Sequence, residues 1–371
     1  MKVLFAIKRL ASAVGGAERV LCTVCSLLAE RGHDVAVVTF DYPGGETFYS
    51  LDYRVKRIDL GIGDSISHAR IGETLRRIRA LRHLVLKEQP QVAVGFMHSI
   101  FVPLALALAD TSIPVLGSEH IVLEHYRTRP LQFALLLAVS HYLARITVLS
   151  EAIRTRYPSI IKKRMVVMPN PVEIPVGQAV SRIVKKRRVL LNVGRLEEQK
   201  DQLTLLQAFA LVSGSHPDWD LRIIGDGSLR IILEKSVCEL DLEGRVFLPG
   251  VTKDIGSEYR AADAFVISSH YEAFGLVTAE AMSHGLPVVG FADCSGTNEL
   301  IKHEQTGLLV PGGGYRSSSL AAALERLMSN SGLRQQLGDA GRASIADLYS
   351  AVHIGDLWEK LLTEAALTSR T

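Results

Sequence analysis

The 371-residue sequence predicts an α/β protein built from two doubly wound, Rossmann-like parallel-sheet domains in tandem. Short β-branched runs alternate with amphipathic helical patterns, which is typical of a parallel sheet covered by helices on both faces. The alternation stops near residue 172 and restarts near residue 189. The chain length also suits two domains better than one.

The first domain is predicted over residues 1–172. It begins with the apolar strand VLFAI at 3–7, followed by a glycine-containing loop and an amphipathic helix at 17–31. Further strand patterns occur at 34–40, 91–96, 113–118, 144–149 and 165–172. Strands separated by helices are joined by crossover connections, so this domain is expected to hold one parallel sheet.

A linker is predicted at 173–188 and a second domain at 189–345. Its strand patterns lie at 189–194, 220–225, 245–250, 264–268, 286–291 and 307–312, each followed by a glycine or serine turn and a helix. Helical patterns from about 317 to 366 have no strands between them. The last of them is assigned to a C-terminal helix at 346–371, and a terminal helix of this kind can cross back over the first domain.

The composition is that of an ordinary globular protein, with 47% hydrophobic and 22% charged residues. Cys22 and Cys25 lie on the apolar face of a predicted helix, and the four cysteines form no disulfide framework, so a reducing cytoplasm is expected. The first apolar run is too short for a signal peptide, and no run is long enough to cross a bilayer.

The net charge of +3 is unevenly divided between the two halves. Residues 1–172 carry 22 Lys and Arg against 14 Asp and Glu, whereas residues 173–371 carry 20 against 25. The first half is therefore expected to meet an anionic partner, either a membrane surface or a phosphorylated acceptor. The charge alone does not indicate nucleic acid, and no nucleic-acid partner is predicted.

Ligands of open parallel sheets bind at the carboxyl ends of the strands, so the two domains are expected to face each other across a cleft. In the first domain, Gly15 and Gly16 precede a helix start, where free amides and the helix dipole can receive an anion, so the pair is predicted to bind the donor. The alternative is a tight strand-to-helix turn. The segment lacks G-x-G-x-x-G, which disfavours a nicotinamide cofactor.

In the second domain, the segment GRLEEQKD places Arg195 and Lys200 after the first strand. A guanidinium and an ammonium at that position can neutralise a pyrophosphate. The alternative is a pair of solvated charges.

The segment SHYEAFGLVTAEAMSHGLPVV contains two carboxylates, Glu272 in a loop and Glu280 inside the following helix. Gly275 and Leu276 would present backbone amides to an anion at the start of that helix. Glu280 is placed to accept hydrogen bonds from ribose hydroxyls, as acidic residues do in nucleotide folds. Glu272 can bond sugar hydroxyls and counter positive charge at the anomeric carbon. Together they suit a sugar nucleotide.

These residues, together with the turn GDG at 225–227 and the segments GGAER and MPNPV, resemble glycosyltransferase family 4, which has the GT-B fold. The resemblance covers nearly the whole chain. It implies retaining transfer from a sugar nucleotide to an acceptor hydroxyl, without a metal or other cofactor. It also implies that Glu272 and Glu280 hold the donor sugar and ribose, while Arg195 and Lys200 hold the diphosphate.

His120, which ends PVLGSEH, is the candidate catalytic residue of the first domain. Family patterns often place a polar or acidic residue near this position, and a histidine can donate to a hydroxyl or phosphate near neutral pH. The alternative is a loop histidine bonded to local backbone. Glu119, His98 and Glu299 are secondary candidates. The resemblance thus makes Glu272, His120, Arg195 and Lys200 the predicted catalytic set.

Two other patterns are given structural interpretations. The DWD at 218–220 matches the D-x-D of metal-dependent transferases, but it precedes a strand, remote from the expected cleft, and a surface turn is predicted. The glutamate pair also fits a glycosidase, but the accompanying cations favour a phosphate leaving group.

The basic segment at 70–88 is predicted to be a helix with Arg76, Arg79, His83 and Lys87 on one face. Such a helix can lie at an anionic bilayer, although a solvated helix face is the ordinary alternative. The segment at 127–145 adds arginines that flank a strongly apolar run.

With GGAER, GETFY and SEH, the basic helix makes the chain similar to transferases that extend saccharides on polyprenyl diphosphate. The predicted reaction moves an N-acetylhexosamine or hexose from a UDP-sugar onto a lipid-linked saccharide in bacterial surface-glycan or glycoprotein biosynthesis. The predicted location is the cytoplasmic face of the inner membrane. The alternatives are a soluble transferase of the sucrose or glycogen type, a sugar-nucleotide 2-epimerase, and a non-catalytic nucleotide-sugar sensor.

Overall fold

The computed structural model describes residues 1–11, 15–63, 71–175 and 187–368. The chain divides into two compact units, one formed by Met1–Pro171 with the segment from Ala351 onward, the other by Val172–Ser350. Most of the predicted linker lies outside the described residues, as do the first residue of the basic segment and part of the loop before Gly15.

The first unit contains a seven-stranded parallel sheet in its described residues, in the order β3-β2-β1-β4-β5-β6-β7. Phe5, on an interior strand, lies opposite Val37 on one side and Val94 on the other. The strands are β1 (Lys2–Ala6), β2 (Asp34–Thr39), β3 (Lys56–Asp59), β4 (Val92–Phe96), β5 (Val115–Ser118), β6 (Arg145–Val148) and β7 (Met165–Val167). β3 was not predicted from the sequence, because KRID has no apolar run and forms a partly exposed strand at the sheet edge.

α-Helices connect most of the successive strands of this unit. They are α1 (Gly16–Glu30), α2 (Ile71–Glu88), α3 (His98–Ala107), α4 (Pro130–Val139), α5 (Glu151–Arg156) and α6 (Ser159–Lys162). In α1 the apolar stripe that includes Leu21, Cys25 and Leu28 is buried. By contrast, α4 is apolar almost throughout and buries little beyond Leu136 and Val139.

The second unit contains a six-stranded parallel sheet in its described residues, in the order β10-β9-β8-β11-β12-β13. Its strands are β8 (Arg188–Val193), β9 (Trp219–Ile224), β10 (Val246–Gly250), β11 (Ala264–Val266), β12 (Val288–Phe291) and β13 (Leu308–Val310). Its helices are α7 (Gln202–Ser213), α8 (Arg230–Glu239), α9 (Ile255–Ala261), α10 (Leu276–Ser283), α11 (Thr297–Leu300), α12 (Arg316–Ser329) and α13 (Ser331–Tyr349). Side chains such as Leu190, Leu221 and Val266 are fully buried in its core.

The last helix, α14 (Ala351–Thr368), belongs to the first unit and packs along α1. Trp358 is buried against Phe5 and Phe96, with ring centroids 6.1 and 6.2 Å away. The helix begins at Ala351 rather than at residue 346, because Ser350 has an extended backbone and ends α13. No helix among the described residues is both long enough and apolar enough to span a membrane.

Candidate active site

The candidate site of the second unit lies at the carboxyl ends of β8, β11, β12 and β13. These four strands are neighbours in a parallel sheet, so the loops that follow them meet at one edge. Lys200 follows β8, Glu272 follows β11, Asp293 follows β12 and Arg316 follows β13.

Lys200 and Glu272, which are 72 positions apart in the sequence, contact each other directly. The Lys200 Nζ donates to Glu272 Oε1 at 2.6 Å, and the two side chains are only 13% and 10% exposed. Ser269 Oγ donates to the same oxygen at 2.6 Å. Ser268 Oγ donates to the carbonyl oxygen of Lys200 at 2.7 Å, which ties the two loops together. Two residues predicted separately therefore form one buried ion pair.

Glu280 is 4% exposed inside α10. The Tyr259 hydroxyl on α9 donates to Glu280 Oε2 at 2.9 Å. Tyr259 was not predicted as a site residue, because a tyrosine within the helical segment IGSEYRA has no recognisable motif. The hydrogen bond holds the Glu280 carboxylate against α9.

The start of α10 depends on Gly275. This residue has a left-handed conformation with φ +83° and ψ 47° and is the N-cap of the helix. A Cβ atom there would lie 3.3 Å from Leu300 Cδ1 in addition to the cost of positive φ. The first amides of the helix, including that of Leu276, have no partner within the helix. The buried Thr278 hydroxyl also has no hydrogen-bond partner among the described residues. This helix start can accept an anion.

Arg195 lies in the turn between β8 and Lys200, and its side chain is 61% exposed. Its guanidinium pairs with Glu197, with Nη1 2.9 Å from Oε1. The GDG turn packs beneath it, since a Cβ on Gly225 would fall 2.0 Å from the Gly194 carbonyl oxygen. The exposed guanidinium can bind an anion if it gives up its ion pair with Glu197, and a surface ion pair of this kind contributes little stability.

In the first unit, Gly15 is the N-cap of α1 and Gly16 is its first residue. A Cβ on Gly15 would fall 2.2 Å from Glu18 Oε2, so the Glu18 carboxyl already lies against this helix start. Burial raises the pKa of Glu18. A phosphate that bound there would have to displace that carboxyl group.

His120 follows β5 and is partly buried. Its Nε2 lies 3.0 Å from Ser118 Oγ, and its ring stacks on Phe96 with centroids 5.0 Å apart. Burial lowers the pKa of His120 to about 4, so the imidazole is neutral at pH 7. The side chain contacts a hydroxyl rather than local backbone.

Glu119 is 2% exposed beside His120. Its Oε1 accepts hydrogen bonds from the amides of His120 and Ile121 at 3.1 and 3.2 Å, and its Oε2 accepts one from the Tyr126 hydroxyl at 2.5 Å. Burial raises the pKa of Glu119 to about 7. His98 Nδ1 lies 3.9 Å from Glu119 Oε2, and burial lowers the pKa of His98 to about 4. Glu119 therefore anchors the loop that carries His120.

The four predicted basic residues of α2 are all exposed and share one face: Arg76, Arg79, His83 and Lys87. Leu75 of the same helix is apolar and 50% exposed. On α4, Leu131 and Leu135 are 84% and 47% exposed. The described surface of the first unit thus combines cationic and apolar side chains.

The D-x-D residues lie at the start of β9, opposite the candidate site. Asp218 pairs with Arg188 at 2.9 Å, and Asp220 pairs with Arg187. Glu299 is exposed on the short helix α11. Within the described ranges, no three or more His, Cys, Asp or Glu side chains are arranged to hold a metal ion.

Comparisons with known proteins identify the family. The family model for Glycosyltransferase Family 4 matches residues 14–174, and the model for Glycosyl transferases group 1 matches residues 176–344. The chain belongs to these glycosyltransferases. The predicted family is confirmed, with the two models together accounting for most of the chain.

Two relatives of this glycosyltransferase match along its whole length. An uncharacterised glycosyltransferase of Haemophilus influenzae is 28% identical over 97% of this chain and 99% of its own. An α-1,4-N-acetyl-D-galactosaminyltransferase of Campylobacter jejuni, named for the undecaprenol-linked saccharide GalNAc-α-(1→4)-GalNAc-α-(1→3)-diNAcBac-PP-undecaprenol, is 27% identical over 98% of this chain and 99% of its own.

Solved structures show the same fold. Sucrose-phosphate synthase of Thermosynechococcus elongatus has a TM-score of 0.84 at 21% identity, over 98% of this chain and 99% of that one. HepE of Anabaena, in complex with UDP and glucose, has a TM-score of 0.78 at 19% identity, over 98% of this chain and 100% of that one. The predicted fold class, GT-B with two Rossmann-like parallel-sheet domains, is confirmed.

Proposed function

We propose that this glycosyltransferase moves an N-acetylhexosamine or hexose from a UDP-sugar, with retention of anomeric configuration, onto a lipid-linked saccharide. The observation that carries the proposal is the largely buried Lys200–Glu272 pair at the carboxyl edge of the second sheet, in the loop that leads into a helix start suited to anions at Gly275. The similarity to the Campylobacter transferase along the whole chain supports the lipid-linked acceptor. The binding of UDP by HepE supports the nucleotide.

The donor is held by side chains and amides of the second unit. Arg195, Lys200 and the start of α10 at Gly275 and Leu276 receive the diphosphate. Glu280, oriented by Tyr259, accepts hydrogen bonds from the ribose hydroxyls. A charged side chain held by packing and hydrogen bonds loses less conformational freedom when its ligand binds.

In the proposed reaction, the bond between the anomeric carbon and the diphosphate oxygen breaks while a bond to the acceptor oxygen forms on the same face. The acceptor proton passes to the departing diphosphate oxygen. Lys200 stabilises the negative charge on the leaving group, and Glu272 counters the positive charge at the anomeric carbon. In this scheme the two cations supply the charge stabilisation, and no metal ion takes part.

His120 is proposed to act as a neutral imidazole that bonds a hydroxyl or phosphate of the substrates. Its low pKa keeps it uncharged at pH 7, so it can donate through one nitrogen and accept through the other. Glu119 holds its loop through two amides.

The acceptor is proposed to approach on a membrane surface. Arg76, Arg79, His83 and Lys87 form an exposed cationic face, and α4 exposes Leu131 and Leu135. A basic helix face and exposed apolar side chains in the same unit suit the interface of an anionic bilayer. The same cations suit the diphosphate of a polyprenyl carrier on the cytoplasmic face of the inner membrane.

The proposal is tested by measuring nucleotide release from a panel of UDP- and GDP-sugars in EDTA, with and without a short polyprenyl-diphosphate saccharide. Acceptor-dependent UDP release, and a product with the donor's anomeric configuration, are expected. Transfer to a phosphate-free soluble saccharide at the same rate would support the soluble alternative instead. Loss of donor without acceptor, with accumulation of an epimer, would support the epimerase.

A further inference from the structure

Arg316, the first residue of α12, connects three of the loops that form the candidate site. Its side chain is 14% exposed, and its guanidinium lies 3.7 Å from the centroid of the Phe291 ring. Burying a charged side chain costs free energy unless its N–H groups have hydrogen-bond or ion-pair partners. Its partners therefore indicate what it does.

Those partners come from the loops after three different strands. Nη2 donates to the Ser268 and Ser269 carbonyl oxygens at 3.0 and 3.3 Å. Nη1 donates to Asp293 Oδ1 at 3.3 Å. Nε lies 3.3 Å from Asp201 Oδ2, an ion-pair contact. Nη1 and Nη2 form hydrogen bonds, whereas Nε contacts Asp201 without hydrogen-bond geometry. The planar guanidinium presents several N–H groups in fixed directions, which a lysine ammonium does not.

Two of these contacts lead directly to the Lys200–Glu272 pair. Asp201 immediately follows Lys200, has a positive φ of 49°, and is the N-cap of α7. Ser269 donates its hydroxyl to Glu272 Oε1 at 2.6 Å. The guanidinium thus joins the residue next to Lys200 to the residue that bonds Glu272.

We propose that Arg316 is the positioning residue that holds Lys200 and Glu272 together in the geometry needed for transfer. The inference rests on the function proposed for that pair and goes beyond it, since Arg316 itself need not touch the donor. A displacement of about 1 Å in a reacting group can lower turnover about 100-fold. Arg316 is therefore expected to affect kcat more than donor binding.

The test compares Arg316→Gln with Arg245→Gln. Arg245 is a matched control in the same unit: it lies just before β10, away from the candidate site, and also bonds backbone carbonyls, those of His216 and Trp219. For Arg316→Gln, kcat is expected to fall about 10- to 100-fold while the KM for the UDP-sugar changes little. Arg245→Gln is expected to lose thermal stability but keep kcat.

A second measurement does not depend on activity. The rate at which an amine-reactive acylating reagent modifies Lys200 is measured by mass spectrometry. This rate is expected to be several-fold faster in Arg316→Gln than in the wild type or in Arg245→Gln. If Arg316→Gln does not fold, Asp201→Asn and Arg316→Lys test the same link through the same two readouts.

An Arg316→Gln enzyme with wild-type kcat and an unchanged Lys200 acylation rate would overturn the inference. An equal loss of kcat in both arginine variants would also overturn it, since that would indicate general destabilisation. If the wild-type enzyme turns over no donor, the proposed function fails. The acylation rates then still decide whether Arg316 positions Lys200.

Discussion

At the residue scale, the two sheet edges hold charged groups in different ways. In the second unit, Glu272 is paired with a cation and a hydroxyl. In the first unit, Glu119 has no cation in hydrogen-bond contact among the described residues; it accepts hydrogen bonds from two backbone amides and from the Tyr126 hydroxyl. The physical consequence is a raised pKa for Glu119, because burial penalises its charged form.

This pKa predicts a pH dependence of stability. The pKa of Glu119 is raised from 4.5 to about 7, so between these values the folded state keeps a proton that the unfolded state has lost. The free energy of unfolding therefore falls as pH rises through this window, by on the order of 3 kcal/mol in total. Glu119→Gln should remove this contribution to the pH dependence of the free energy of unfolding.

The measurement is urea unfolding of both proteins at pH 5 and pH 8. The histidines at positions 98 and 120 have lowered pKa values and give a slope of opposite sign at acid pH, so only the difference between wild type and variant isolates Glu119. Parallel pH profiles would contradict the assignment.

At the element scale, the start of α10 is the element that most constrains the candidate site. Gly275 adopts positive φ so that the chain can turn from the Glu272 loop into the helix that carries Glu280. A non-glycine residue in this conformation costs roughly 1–2 kcal/mol.

Gly275→Ala is therefore expected to lower the free energy of unfolding by about that amount and to weaken UDP binding. Gly214→Ala is the matched control, since Gly214 has helical φ of −67° and open space around its Cβ position. Chemical denaturation and calorimetric titration with UDP measure the two effects. Equal UDP affinity in both variants would show that this helix start does not contact the nucleotide.

The exposed faces of α2 and α4 predict membrane binding. Replacing Arg76, Arg79 and Lys87 by Glu should lower the partition coefficient onto phosphatidylglycerol vesicles by roughly 100-fold, since each basic side chain near the surface contributes about 1 kcal/mol. Sedimentation with vesicles, at low and high salt, measures the partitioning.

The control variant changes the net charge by the same amount, but at three lysines of the second unit. Lys235, Lys253 and Lys302 are exposed in the second unit, and their replacement by Glu is expected to have a much smaller effect. If both triple variants lose binding equally, net charge rather than α2 drives association.

At the scale of the whole molecule, the sequence predicted both parallel sheets because buried strands in α/β proteins are continuous apolar runs. β3 departs from this rule: as a polar edge strand, KRID needs no apolar run. The start of α14 was also misplaced, because the break at Ser350 interrupts a helical pattern without a glycine or proline.

The candidate site could be predicted where its residues lie close in sequence. Glu272 and Glu280 lie in one loop and the helix that follows it, and Arg195 and Lys200 lie in the segment after one strand. Arg316 and Tyr259 were not predicted, because each reaches the site through contacts with residues distant in the chain. Such contacts exist only after the sheet has assembled, and no local pattern encodes them.

The most direct test of the central claim is the rate of acceptor-dependent UDP release in EDTA, measured for the wild type, Lys200→Ala and Glu272→Ala. Lys235→Ala and Glu239→Ala serve as controls, since they break an exposed ion pair of the same unit, 3.2 Å long. Each site variant is predicted to lose about 100- to 1,000-fold in kcat, and the controls are predicted to keep wild-type rates. Full activity in Lys200→Ala and Glu272→Ala would contradict the account.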